Sequence, residues 1–85
     1  MLEFALTEEL KNLIVEIREN TEKILEKSRA CPEEHYICCY YGDGGGFQIN
    51  CTQFGMHPCN EFISLGRPKN VTDIESCIEQ ELNPF

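Results

Sequence analysis

The side chains in this sequence best suited to chemistry are the cysteines Cys31, Cys38, Cys39, Cys51, Cys59 and Cys77 and the histidines His35 and His57. Six cysteines in 85 residues leave two chemical outlets. In an oxidising compartment, an even number of cysteines in a short chain makes a disulfide framework; otherwise thiolates and imidazoles can hold a metal. There is no C-x-x-C, so thioredoxin-like redox chemistry and the common zinc-knuckle spacings lack their usual signature. Cys38 and Cys39 are adjacent, and neighbouring side chains of a strand point to opposite faces. The two therefore need different partners, and neither a vicinal disulfide nor joint chelation of one metal is expected. That arrangement suits three separate disulfides.

The rival is a metal site. Cys31, His35, Cys39, His57, Cys59 and Cys77 offer nitrogen and sulfur ligands, four of which could close a tetrahedral zinc site; four thiolates could instead hold an iron–sulfur cluster. The spacings match no standard cluster motif, and cysteine density in so small a chain favours disulfides. A Cys–His nucleophile pair lacks an orienting third residue and an oxyanion donor set, so the sequence names no reaction and an enzyme is the lesser reading. The run Gly42-Asp43-Gly44-Gly45-Gly46 is no phosphate cradle, because it lies between strands and no Lys-Ser/Thr follows it.

The elements that must position the cysteines follow from periodicity. His35 to Phe54 reads as a β-hairpin, with Tyr36, Ile37, Tyr40 and Tyr41 on one side and Phe47, Ile49 and Thr52 on the other. A two-residue turn at Gly44-Gly45, where positive φ is free of steric cost, sets Cys38 opposite Cys51 and Tyr40 opposite Ile49. One face then holds Tyr36, Cys38, Tyr40, Phe47, Ile49 and Cys51, and this face is assigned to the core. A longer loop would slip the register by one residue and exchange the faces. Opposed residues are close enough to bond, so Cys38–Cys51 is the expected cross-strand disulfide, with Cys39–Cys77 and Cys31–Cys59 tying the flanking segments to the hairpin.

Before the hairpin, residues 1–29 read as one long amphipathic helix. Leu6, Leu10, Leu13, Ile14, Ile17, Thr21, Ile24 and Leu25 form the stripe, Thr7 is the N-cap candidate and Pro32 blocks continuation. Leu10, Ile17 and Ile24 are spaced as a heptad, which raises homodimerisation through this helix; Asn20 and Lys27 weaken the seam. After the hairpin, Cys59 to Leu65 reads equally as a helical turn or a third strand. Thr72-Asp73-Ile74-Glu75 matches a capping box opening a helix over 72–82, with Ile74, Cys77, Ile78 and Leu82 as the inward candidates and Asn83-Pro84 ending it.

Charge and length bound the partners. Net charge is −8, from 15 acidic against 7 basic residues. Phosphate backbones and anionic membranes repel such a surface, whereas a protein with a basic face does not. No stretch approaches the roughly 18 apolar residues of a membrane span. Met1-Leu2-Glu3-Phe4 lacks the basic and apolar regions of a signal peptide, while the cysteines favour a secreted or otherwise oxidising compartment, so localisation stays open. Asn50-Cys51-Thr52 and Asn70-Val71-Thr72 fit the glycosylation acceptor pattern. Asn83-Pro84-Phe85 is the tripeptide read by EH domains, although helix-stop chemistry accounts for Asn-Pro equally well.

The sequence thus points to one small α+β domain over 1–85: a long N-terminal helix, a hairpin over 35–54 and a short C-terminal helix, stapled by three disulfides. The expected function is an acidic cysteine-rich binding module acting on a partner protein as an inhibitor, toxin-like or accessory protein. A Cys/His zinc or iron–sulfur protein and a small helix-dimerising subunit are the alternatives.

Overall fold

The computed structural model describes residues 7–53 and 61–82. The chain is α+β, as its periodicity predicts. Helices α1 (Glu8–Glu19) and α2 (Thr21–Arg29) precede strands β1 (His35–Tyr41), β2 (Phe47–Gln53) and β3 (Phe62–Gly66), and helix α3 (Val71–Leu82) follows. The segment left between helical turn and strand by the sequence is thus a strand over Phe62–Gly66.

Thr7 caps α1: its hydroxyl accepts from the Leu10 amide at 3.1 Å, and Glu8 and Glu9 occupy the first turn, where the helix dipole favours carboxylates. The expected single helix is interrupted at Asn20, whose backbone leaves helical geometry at φ −122°, ψ 27°. The Asn20 amide reaches back to the Glu16 carbonyl at 2.7 Å, and its backbone N–H bonds Ile17 O at 3.1 Å in place of the regular i−4 bond. An asparagine that hydrogen-bonds the local backbone competes with the helix ladder in this way. The stripe survives the break, because Leu13, Ile17 and Ile24 are all fully buried. The heptad positions Ile17 and Ile24 are thus committed to the protomer's own core.

The sheet order is β2-β1-β3, antiparallel throughout. Its register differs by one residue from the two-residue-turn expectation. Ile37 lies opposite Cys51, Cys39 opposite Ile49 and Tyr41 opposite Phe47. The loop is the cause: Gly42 N–H bonds Gly46 O at 2.9 Å, Gly45 N–H bonds Gly42 O at 2.8 Å, and Gly45 takes φ +81°. This is a three-residue loop, a tight turn followed by a left-handed glycine, and the odd loop length reverses the pairing parity. Phe47, Ile49 and Cys51 face the helices as expected, but their β1 companions are Ile37, Cys39 and Tyr41 rather than Tyr36, Cys38 and Tyr40.

The core lies between that face and the helices. Leu13, Ile14, Ile17 and Ile24 meet Ile37, Cys39, Ile63 and Leu65, and Ile74 and Ile78 of α3 close the far side. At about 25 cal/mol per Å² of apolar surface removed from water, such aliphatic side chains supply about 1.5–3 kcal/mol each, the main drive to this fold. Tyr36 and Cys38, on the opposite face, are buried as well.

Polar links fix the connections. The Arg67 guanidinium donates to the carbonyls of Cys31 at 3.0 Å, His35 at 2.9 Å and Pro32, holding the α2–β1 connector against the end of β3. The buried Ser28 hydroxyl donates to Pro68 O at 2.8 Å. Helix α3 starts at Val71, capped by Asn70 two residues before the expected Thr72, and Leu82, expected to face inward, is exposed. Asn70 accepts from the Asp73 amide at 2.9 Å while Asp73 accepts from the Lys69 amide at 2.9 Å. Glu75, expected in the capping box, instead meets Arg18 of α1.

Candidate functional site

Cys31 is bonded to Cys51, with the Cα atoms 6.0 Å apart and the two residues 20 positions apart in sequence. The bond ties the connector after α2 to edge strand β2. It corrects two expected pairings. Cys51 is not opposite Cys38, which faces away from the helices beside Asn50, and Cys31 is not free for Cys59. The expected Cys39–Cys77 bridge is not formed either: both carry thiols. Cys39 is sealed in the core, where burial, and secondarily the neighbouring Cys38, pushes its pKa up to about 12. A thiol so disfavoured as thiolate is inert as a nucleophile or ligand. Cys77 is half-buried, and its thiol lies 3.5 Å from Leu65 O; burial first, then Asp73 and Glu81, raises its pKa.

Of the six candidate metal ligands, the four among the described residues, Cys31, His35, Cys39 and Cys77, are not assembled into a site. Cys31 is consumed by its disulfide, Cys39 is inert, and His35 holds its Nδ1 3.0 Å from Glu33 O. No group of three or more His, Cys, Asp or Glu able to hold a metal occurs among the described residues. His57, Cys59 and the Asn83-Pro84-Phe85 motif lie outside them. Of the acceptor asparagines, Asn50 donates its amide to the Tyr40 hydroxyl at 2.8 Å, and Asn70 is the α3 cap.

What the structure does assemble is an acidic cleft of about 610 Å³ between the first turns of α1 and the hairpin tip, lined by Glu9, Asn12, Tyr41, Gly42, Asp43 and Gly45. Register places Tyr41 here: one residue's slip would send its ring to the other face. The ring packs edge-on to Phe47, with centroids 6.4 Å apart and planes at 68°. Its pKa is raised by burial and then by the negative charges of Glu16 and Glu9. Glu9 itself is raised above the ordinary 4.5, first by a hydrogen bond shared with the Glu61 carboxyl, then by desolvation and by repulsion from Glu61. Thr7 donates to the same Glu61 at 3.1 Å. Two carboxyl groups 52 positions apart in sequence, Glu9 and Glu61, thus meet at the first turn of α1, and Glu9 also lines the cleft. The pattern is suited to a cation: carboxylates supply charge, and a tyrosine side chain lines the same cleft. Sequence reasoning missed this set because its members share no motif; the glycine-flanked Asp43 was the one local hint.

In comparisons with known proteins, the chain matches no family model, no curated protein and no solved structure.

Proposed function

We propose that this protein is a small, disulfide-stapled binding module that engages a basic segment of a partner protein through the cleft between α1 and the hairpin tip. The observation that carries this reading is the convergence of Glu9, Asp43 and the Tyr41 ring on one solvent-open cleft, with Glu61 crowding Glu9. A lysine or arginine entering there offsets the negative charge that Glu9 and Glu61 bring together. The chain's net charge of −8 adds long-range attraction for the same partner. The Cys31–Cys51 bond supports the reading by holding the hairpin rigid against the helices, which lowers the ordering cost of binding.

Titration of the protein with an arginine- and lysine-rich peptide, followed by amide NMR shifts, tests this. The expected result is saturable shifts at Glu9, Asn12 and Tyr41–Gly45, weakened by salt and by the double variant Glu9→Gln/Asp43→Asn. Affinity should rise with pH through the Glu9 titration, above the usual 4.5, as the carboxyl gains its charge. Shifts confined to another surface, or none, would overturn the proposal.

A further inference from the structure

A different surface points to a different partner. Strand β2 is an edge of the sheet, seven residues long and paired in unbroken register with β1 along one side. Among the described residues no strand pairs with its other side. Natural edge strands are guarded by charges, prolines, bulges or shortness, because a free ladder of N–H and C=O groups recruits another chain. Phe47-Gln48-Ile49-Asn50-Cys51-Thr52-Gln53 has neither charge nor proline, in a chain with 26% charged residues. The opposite edge is guarded: β3 has five residues, its register with β1 breaks between Ile37 and Cys38, and it ends on the left-handed Gly66 at φ +62°.

We propose that this edge pairs with β2 of a second copy of the chain, antiparallel about a two-fold axis through Asn50, merging the two sheets into one of six strands. The hydrogen-bond ladder permits it. The Gly42–Gly46 bond at the loop makes Tyr41–Phe47 a non-hydrogen-bonded pair, and alternation then aims the N–H groups of Gln48, Asn50 and Thr52 at β1 and those of Phe47, Ile49 and Cys51 outward. A two-fold axis through a residue keeps odd positions opposite odd ones. Ile49 meets the copy's Cys51 as a hydrogen-bonded pair, and the two Asn50 residues form the close non-hydrogen-bonded pair. Among the ladder-compatible axes, the one at Asn50 overlaps all seven residues. It also continues the half-buried row of Phe47, Ile49 and Cys51 across the axis on the helix-bearing face.

Charge distribution is compatible with a second copy as the occupant, despite the net charge of −8 on each chain. Helix α2, which packs on β2, carries Lys23, Lys27 and Arg29 against Glu22 and Glu26, so two copies meet there with mixed signs. The acidic excess of α3 (Asp73, Glu75, Glu79 and Glu81, with no basic residue) packs beside β3, at the sheet's other edge. Repulsion between copies is thereby kept away from the pairing edge. This proposal does not depend on the cation cleft.

Sedimentation and light scattering from micromolar to millimolar concentration test it, with Asn50→Lys and Asn50→Glu. Wild type should reach twice the 9.8 kDa chain mass. Like charges directly opposed across a strand pair repel, so each variant alone should weaken dimerisation at least about tenfold, and an equimolar mixture should restore a one-to-one dimer. If either variant fails to fold, hydrogen exchange of wild type decides instead. The outward amides of Phe47, Ile49 and Cys51 should gain protection as concentration rises. A monomer at every concentration, or a dimer indifferent to both variants and without that protection, would overturn the proposal.

Discussion

Arg18 of α1 and Glu75 of α3 face each other in two hydrogen bonds, Nε to Oε2 at 3.2 Å and Nη2 to Oε1 at 3.0 Å. They are 57 positions apart in sequence and latch the first helix to the last. The bidentate fork suits guanidinium and carboxylate geometry, and the pairing raises the Arg18 pKa. Both side chains are nonetheless about half exposed, at 49% and 43%, so solvent screens the pair. A double-mutant cycle with Arg18→Ala and Glu75→Ala should give a coupling of about 0.2–1 kcal/mol that shrinks as salt is added. Burial by contrast governs Ile17, which has no exposed surface: Ile17→Ala should cost about 2–5 kcal/mol.

The hairpin loop distinguishes two glycines that a two-residue turn would treat alike. Only Gly45 has positive φ, at +81°, and a Cβ added at either Gly44 or Gly45 would meet nothing within 4 Å. Gly45→Ala should therefore destabilise by about 1 kcal/mol through backbone strain alone, while Gly44→Ala should be neutral or slightly stabilising. Equal costs in thermal or urea unfolding would favour the two-residue turn.

Much of the architecture is legible in local patterns. The Thr7 cap, the helical stripe from Leu10 to Leu25, both hairpin strands and the inward Ile74 and Ile78 all follow from spacing, because burial and capping act within a few residues. What escapes depends on single-residue competition or on distance. Asn20 breaks the first helix by reaching to Glu16 O, a bond no periodicity signals. Asn70 takes the α3 cap that Thr72 could equally hold, and so releases Glu75 to Arg18. One additional loop residue reverses the β1 faces, and with them the cysteine pairing. The cleft joins Glu9, Tyr41 and Asp43 from two elements, so it exists only once the register is known.

Cys39 gives a pH prediction. In the fold its thiol stays protonated to about 12, whereas an unfolded chain releases the proton near the ordinary 9.0. The unfolded state then binds fewer protons over that interval, so stability falls as pH rises from 9.0 towards 12. The Cys39 share of this slope should vanish in Cys39→Ala, itself destabilised at all pH by its cavity. Iodoacetamide at mildly alkaline pH should leave Cys39 unmodified in native protein and label it after unfolding. Rapid native labelling would contradict its place in the core.

The register of the hairpin underlies both the cleft and the pairing edge, and the disulfide reports it. Disulfide mapping of non-reduced protein, with partial reduction to separate Cys38 from Cys39, should recover a Cys31–Cys51 linkage. Reducing it should lower stability by about 3 kcal/mol, as expected for closing a loop of 20 residues. A map joining Cys38 to Cys51 would restore the two-residue turn and move Tyr41 to the opposite face. It would thereby contradict the cleft together with the disulfide.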